Sequence, residues 1–305
     1  MDFFISTNWN STRHATGEAL ADECLALGFD GVELGYRLNE LLAEGIRRRV
    51  TAGMLKVSSV HAYCPAPLGA PNGHPELYLP ASRDDDDRAM AVVLLQRSLN
   101  FAAEVGARAI VVHAGRVDDV EPDSEALLDS ADDDGIDSER YQKLLSRSQS
   151  QRTRRVKRHL ESLRRSLDTL LPRCAQLNVA LCLENLPSIE AVPNEDEMLE
   201  LIAAYNSPHF GYWHDMGHGQ VRANLGWIKS HRETAERMLP HTRGLHIHDV
   251  TPPDRDHLPP GLGELPFADF AFYGRANLLR VVEPAPGVRA DELRDSLAFL
   301  KRTWA

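Results

Sequence analysis

The sequence predicts an α/β fold of one class, a (β/α)8 (TIM) barrel, on three observations. Short β-branched or aliphatic runs alternate with amphipathic helical stretches, eight such runs can be counted, and several of them end in His, Asp or Glu. A closed barrel gathers side chains from the C-terminal ends of its parallel strands at one mouth. Ligand-type residues at strand ends therefore favour closure over an open, doubly wound sheet.

The elements follow in order. The run FFIST opens the series and is followed by a helix over about 19–27, which Gly28 closes before the second strand, GFDGVEL. KVSSVH then leads to a helix near 90–105, ARAIVVH to a long helix near 154–177, and NVALCLE to a helix near 195–205. HFGYWHD with a helix near 227–239, TRGLHIH with a short helix near 267–272, and NLLRVVE with a helix near 291–302 complete the chain. Two segments break the rhythm. Residues 117–150 read as an inserted polar loop, a lid or partner-binding insertion, because DDDG and scattered Ser interrupt any apolar period. The basic stretch QRTRRVKRH that follows reads as a solvated helix start whose Leu160, Leu163, Leu167 and Leu170 face the core, and Asp84 to Asp87 as an acidic helix start.

Composition bounds the function. With 305 residues, 43% hydrophobic and 26% charged, the chain can bury one large core, and a single domain over 1–305 is expected. Forty-five acidic against 34 basic residues give a formal charge of -11, which disfavours nucleic acid and anionic membrane as partners except through a locally positive groove. Cys24, Cys64, Cys174 and Cys182 form no CxxC pair, so thiols in a reducing cytosol are expected. The segment MDFFISTNWN has none of the marks of a signal peptide and no run approaches transmembrane length, which reads as a cytoplasmic protein.

The titratable strand ends carry the chemistry. Glu184 and Glu283 each close an apolar strand, where an unpaired carboxylate is costly, so each needs a cation or a donor. A shared metal ion satisfies both; an arginine at the mouth is the structural alternative. Asp215 and His218 lie three apart in HDMGH, where Gly217 permits a tight turn. His246 and Asp249 repeat that spacing, with Asp249 either orienting an imidazole or closing the turn on its own backbone. His61 and His113 end strands of their own, and His257 sits in DRDHLPPGLGEL, a loop fixed by Pro259, Pro260, Gly261 and Gly263 and able to aim a side chain back at the mouth. Glu33 ends the second strand, where it contacts substrate or forms a salt bridge, and His248 is expected to face outward. Trp9, Tyr63 and Phe272 are candidate apolar walls, with ordinary packing as the plainer reading.

The progression VVHAG, LENL, HDMGH, HIHD, HLPPGLGE and VVEP resembles the xylose-isomerase-like TIM-barrel superfamily, which includes sugar epimerases and isomerases and the endonuclease IV class of DNA-repair enzymes. The resemblance runs from about the second strand to the C-terminus. In the epimerases it implies one divalent ion held by Glu184, Asp215, His246 and Glu283, with His218 near the substrate oxygens. In the endonuclease-like branch it implies three metals: one on His61, His113 and Glu184, one on the same four central residues, and one on His218, His257 and an aspartate two residues before His257. Arg255 stands at that last position, between Asp254 and Asp256, which weakens the third site and offers a planar fork for a substrate oxygen or phosphate. The reading is therefore a divalent-metal-dependent isomerase or epimerase acting on a small sugar-like hydroxy-carbonyl compound. Glu184 and Glu283 act as base and acid, and His218 and Arg255 bind substrate. An endonuclease IV-like multimetal phosphodiester hydrolase is the alternative. Manganese, zinc, cobalt, iron or magnesium suits the donor set, no organic cofactor is expected, and a homo-oligomer fits the family by analogy.

Overall fold

The computed structural model describes residues 1–70 and 72–305. The chain runs through β1 (Phe4–Ser6), α1 (Gly17–Ala26), β2 (Gly31–Leu34), α2 (Glu40–Thr51), β3 (Val57–His61), α3 (Asp85–Glu104) and β4 (Ala109–Val112). It continues with α4 (Ser124–Asp134), α5 (Glu139–Leu177), β5 (Ala180–Glu184), α6 (Glu195–Tyr205), β6 (Phe210–Asp215), α7 (Met216–Asn224) and α8 (His231–Met238). The last elements are β7 (Thr242–Ile247), β8 (Asp249–Thr251), β9 (Arg255–Leu258), α9 (Phe272–Arg275), β10 (Leu279–Val282) and α10 (Ala290–Thr303).

Eight of the strands close into a parallel barrel in the order β1-β10-β7-β6-β5-β4-β3-β2, with β8 and β9 forming a separate antiparallel pair. All eight strands read from the sequence take part. Successive strand residues point to opposite faces. One parity set, including Phe4, Val111, Cys182, Trp213 and Val281, fills the barrel interior, while the other packs against the helices in a larger shell. Two residues beyond Val111, Cys182, Trp213 and Val281, on the same inward parity, stand His113, Glu184, Asp215 and Glu283. The apolar plug thus forms the floor and the ligand-type residues form the rim.

Several local expectations are corrected. Residues 117–150 are not one polar loop: Asp123 caps α4, Ser138 caps α5, and α5 extends over 39 residues. Leu127, Tyr141 and Leu145 give this segment its own apolar cluster with Val221, Leu225, Trp227 and Val250, which the Ser and Asp content had masked. Arg152 is not solvated. It is buried and binds Glu197 through both nitrogens at 2.7 Å while donating to the Ala191 carbonyl. Its neighbours Arg154, Arg155, Lys157 and Arg158 are exposed as expected, and Asp84 caps α3. HDMGH is the start of α7 rather than a tight turn, and residues 267–272 divide between a 3-10 turn and the beginning of α9. Helix α2 was not anticipated at all. The four cysteines are free and buried, and among the described residues no helix is long and apolar enough to cross a membrane.

Outside the barrel, Glu195 at the start of α6 meets Arg222 of α7 in a buried bidentate pair at 2.5 and 2.9 Å, with the Tyr212 hydroxyl at 3.3 Å. Burial works to raise the Glu195 pKa, but Arg222 outweighs it and brings the group down to about 2 from an ordinary 4.5. A depressed carboxylate stabilises the fold above its unfolded pKa and loses that contribution as pH falls through the folded value. Replacing Glu195 by Gln leaves Arg222 buried without a counter-charge, and should cost about 3 kcal/mol in denaturant unfolding at pH 7. The gap between wild type and variant should narrow as pH falls from 4.5 towards 2. A gap that stays constant across that window contradicts the assignment.

Candidate metal centre at the barrel mouth

Glu184 ends β5, Asp215 ends β6, His246 lies on β7 and Glu283 follows β10, so four strands deliver four donors to one point. The His246 Nδ1 lies 2.8 Å from Glu184 Oε1, 2.9 Å from Glu283 Oε2 and 3.8 Å from Asp215 Oδ2. Ligand atoms of all four fall within 4.8 Å of one another. The ion pairs of these carboxylates are all with histidines; no arginine or lysine among the described residues reaches them, so the arginine alternative does not hold. Burial works against charge at His246, yet Glu283, Glu33 and Glu184 hold its pKa well above the usual imidazole range. Burial likewise raises Glu184, but His246, His113 and His61 drive it well below the usual carboxylate range.

Hydrogen bonds select which nitrogen of each ring is free. Glu33, fully buried at the end of β2 on the inward parity, lies 3.0 Å from its Nε2 and is held in turn by the Ser59 hydroxyl at 2.7 Å. That carboxylate accepts the Nε2 proton and leaves Nδ1 as the ligand atom. The same logic recurs. His61 Nδ1 is 2.9 Å from the Ala62 carbonyl, and His113 Nδ1 is 3.2 Å from Glu76, so both present Nε2 inward. Those two nitrogens lie 3.3 and 3.2 Å from Glu184 Oε2, a buried oxygen without a hydrogen-bond partner. An orphaned oxygen flanked by two imidazole lone pairs fits a second cation sharing Glu184. Burial disfavours charge on His113, but Glu184 and Glu76 raise its pKa to about 9 without that cation.

His218 donates Nδ1–H to the Asn185 carbonyl at 2.9 Å and turns Nε2 towards Asp256 Oδ2 at 3.9 Å. His257, at a left-handed φ of 54°, bonds Asp256 Oδ1 through Nδ1 at 2.9 Å. Asp256 is thus the carboxylate of this segment that approaches His218 and His257, while Arg255 is exposed on β9. Asp249 closes the turn: it accepts the backbone N–H groups of Val250, Gly261, Gly263 and Leu265, which pins the PPGLG loop.

His248 corrects the expectation that it faces outward. Residues two apart on a strand share a face, so His248 has the parity of His246 and is fully buried. Its Nε2 donates to Asp215 at 2.9–3.0 Å, its Nδ1 accepts the His257 N–H at 2.9 Å, and its ring stacks on His257 at 4.1 Å. Both nitrogens are engaged, which places His248 to orient Asp215, and its ring also joins those of His218 and His257 in a group of candidate ligand atoms within 4.8 Å of one another. Gly217 makes room for it, since a Cβ there would lie 1.9 Å from the ring. Sequence reasoning also missed Tyr36, whose ring meets His61 edge-on at 5.3 Å. Burial first, then Glu283 and Glu184, raise its pKa, which places the ring beside the carboxylate cluster. Trp9 and Tyr63 are buried in the core cluster instead, and Phe272 packs partly buried against it.

Outer groups of this kind tune metal affinity. Glu33→Gln and His248→Gln are each expected to weaken manganese or zinc binding by about 10–100-fold. Calorimetric titration of metal into the chelator-treated protein measures this, with circular dichroism to confirm the fold. Unchanged affinity in both variants contradicts the orienting roles.

The comparisons agree with this architecture. The structure aligns with that of a D-tagatose 3-epimerase-like protein over 100% of both chains at 18% identity and a TM-score of 0.68. It aligns with 3-keto-D-glucoside 4-epimerase, YcjR, from E. coli over 99% of both chains at 18% identity and 0.67. The protein TTHB071 from Thermus thermophilus, soaked with zinc chloride, aligns over 99% of this chain and 98% of its own at 21% identity and 0.61. At these identities the likeness is one of fold. No curated protein sequence gives a match. The model of the xylose isomerase-like TIM barrel family matches residues 21–273, most of the chain, and the protein belongs to that family.

Proposed function

We propose that the protein is a divalent-metal-dependent isomerase or epimerase of a sugar or related hydroxy-carbonyl compound. The observation that carries the reading is the convergence of Glu184 and Glu283 on one ligand position, 2.8 and 2.9 Å from the same nitrogen, from strands separated by β6 and β7. Support also comes from the named activities of the two epimerase structures it resembles. A divalent ion bound by Glu184, Asp215, His246 and Glu283 supplies Lewis-acid polarisation of adjacent carbonyl and hydroxyl oxygens. One of the two glutamates removes the proton α to the carbonyl. The C–H electron pair moves into the enediolate, and the other glutamate returns a proton to the opposite face or to the neighbouring carbon. His218 presents Nε2 to a substrate hydroxyl, and Asn8, bonded to Glu283 Oε1 at 3.3 Å, keeps that carboxylate in place. Substrate binding by Glu33 is replaced in this scheme by its support of His246.

A second reading keeps a specific observation. His61, His113 and the orphaned Glu184 Oε2 form one additional donor cluster, and ligand atoms of His218, His248 and His257 lie within 4.8 Å of one another in another, with Asp256 beside it, as a multimetal phosphodiester hydrolase requires. Metal analysis separates the two: one or two tightly held ions per chain favour the isomerase, three the hydrolase. For the leading reading, the metal-loaded protein incubated with ketoses in deuterated water should wash deuterium into the carbon α to the carbonyl. Glu184→Gln and Glu283→Gln should each lower that exchange by about 10²–10⁴-fold, and chelation should abolish it. Hydrolysis of a phosphodiester with no exchange on any ketose overturns the proposal.

A further inference from the structure

The end of the barrel opposite the mouth carries the reverse charge. Arg108, Asn178 and His209 lie within two residues of the starts of β4, β5 and β6, Arg243 is the second residue of β7, and Asn277 precedes β10 by two residues. Those five strands are consecutive staves of the barrel. The five residues line one cavity of about 350 Å³, with no Asp or Glu among its described walls. Arg108 and Asn277 also line the adjoining recess of about 590 Å³, where Lys56 and Arg280 add two cations and Asp2 is the one carboxylate among the described residues. In a chain of formal charge -11, this base is a local reversal of sign.

The fold fixes these groups. Arg108 donates its backbone N–H to the Ser58 carbonyl at 3.0 Å and accepts the Ala180 N–H at 2.9 Å, while the His209 carbonyl accepts the Leu181 N–H at 2.9 Å. Both residues are thereby held on either side of the start of β5. Gly211, two residues before Trp213 and on its inward parity, makes room for Arg243: a Cβ at 211 would lie 2.5 Å from Arg243 Cγ and 3.0 Å from its Nε. The arginine stem therefore crosses the opening beneath the apolar plug, in the space a side chain at 211 would fill. Its charge is felt inside the plug, where burial pushes the Cys182 thiol up to about 12 and Arg243 pulls against it. Arg280 is buried and directs its donors to the carbonyls of Tyr273, Gly274, Ala276 and Leu278, neutral groups that leave its charge in place. Arg108 and Arg243 are exposed to solvent and pair with no carboxylate among the described residues.

We propose that the base of the barrel binds the phosphate group of a small molecule. The guanidiniums of Arg108 and Arg243 supply charge-assisted donors, and Asn178 and Asn277 neutral ones, to an anion with several acceptor oxygens. Ala109, Ala180 and Leu279 of the plug close the inner wall, so the recess takes a small ester or a free phosphate. The net negative charge of the chain works against a long polyanion. The site stands at the far end of the barrel from the proposed reaction and does not depend on it.

Calorimetric titration of the purified protein with inorganic phosphate, pyrophosphate and glycerol 3-phosphate tests this, with acetate as a singly charged control. At least one phosphate probe should bind with a Kd below about 1 mM, and acetate should not. The affinity should fall as salt rises from about 0.05 to 0.5 M. Arg108→Gln and Arg243→Gln should each weaken binding about tenfold, and Arg154→Gln, on the exposed face of α5, should leave it unchanged. The three probes separate a free phosphate from an ester. Circular dichroism checks the fold of each variant, and should Arg243→Gln fail to fold, Arg108→Gln carries the test, because the sheet holds that residue by its backbone alone. Phosphate binding that survives in every folded variant puts the ion elsewhere, at a metal in the mouth for example, and overturns the proposal. Failure of all three probes to bind, or an equal loss in Arg154→Gln, does the same.

Discussion

Four buried carboxylates and the shortage of permanent cations near them govern this structure. Glu33, Glu184, Asp215 and Glu283 lie at the top of an apolar barrel plug, where each charge loses most of its hydration. Among the described residues the ion pairs they make are with imidazoles: His246 stands among Glu33, Glu184 and Glu283, His61 and His113 flank Glu184, and His248 holds Asp215. An imidazole balances a carboxylate only while protonated, and a divalent ion does so while taking the lone pair the proton occupied. A proton and a divalent ion would thus compete for the same nitrogens, and the deep burial that makes the carboxylate cluster expensive would favour either one.

The barrel and its rim were legible because strand parity is strict. A side chain two residues beyond an inward Val, Cys or Trp also points inward, so the ends of AIVVH, ALCLE and YWHD face one axis whatever the loops do. The same rule applied to HIH would have brought His248 inside with His246. Asp256 is different: its approach to His218 depends on the left-handed turn at His257, and that backbone conformation has no reliable signature in a non-glycine residue.

Helix α2 was hidden for another reason. Its Gly45 reads as a helix breaker and its three successive arginines as a solvated run. In the fold, Gly45 faces Gly17 of α1, where a Cβ on Gly45 would lie 2.7 Å from the Gly17 nitrogen. The glycine's intrinsic cost is offset by backbone-to-backbone packing of α1 on α2, a tertiary gain that a local propensity does not register. The 117–150 segment is the mirror case. Tyr141 and Leu145 show helical spacing, but their partners Val221, Leu225 and Trp227 lie about eighty residues away, and a sparse apolar stripe has meaning only once those partners are in place.

The outer groups that orient the candidate ligands divide by where the fold carries them. Every candidate ligand ring is fixed by a second acceptor: Glu33 for His246, the Ala62 carbonyl for His61, Glu76 for His113, the Asn185 carbonyl for His218 and Asp256 for His257. Two of these acceptors, Glu33 and the Ala62 carbonyl, lie on or beside barrel strands, and Asn185 directly follows β5. Glu76 and Asp256 come instead from longer excursions of the chain, the β3–α3 connection and the β8–β9 pair. Strand-borne acceptors are held by the sheet ladder, so the central four-ligand position is insulated from loop variation. The rings that extend it, His113 and His257, are oriented by carboxylates that the longer excursions of the chain deliver, Glu76 and Asp256. The outer donors of the mouth are therefore positioned by connections between elements, and the central four by the strands themselves.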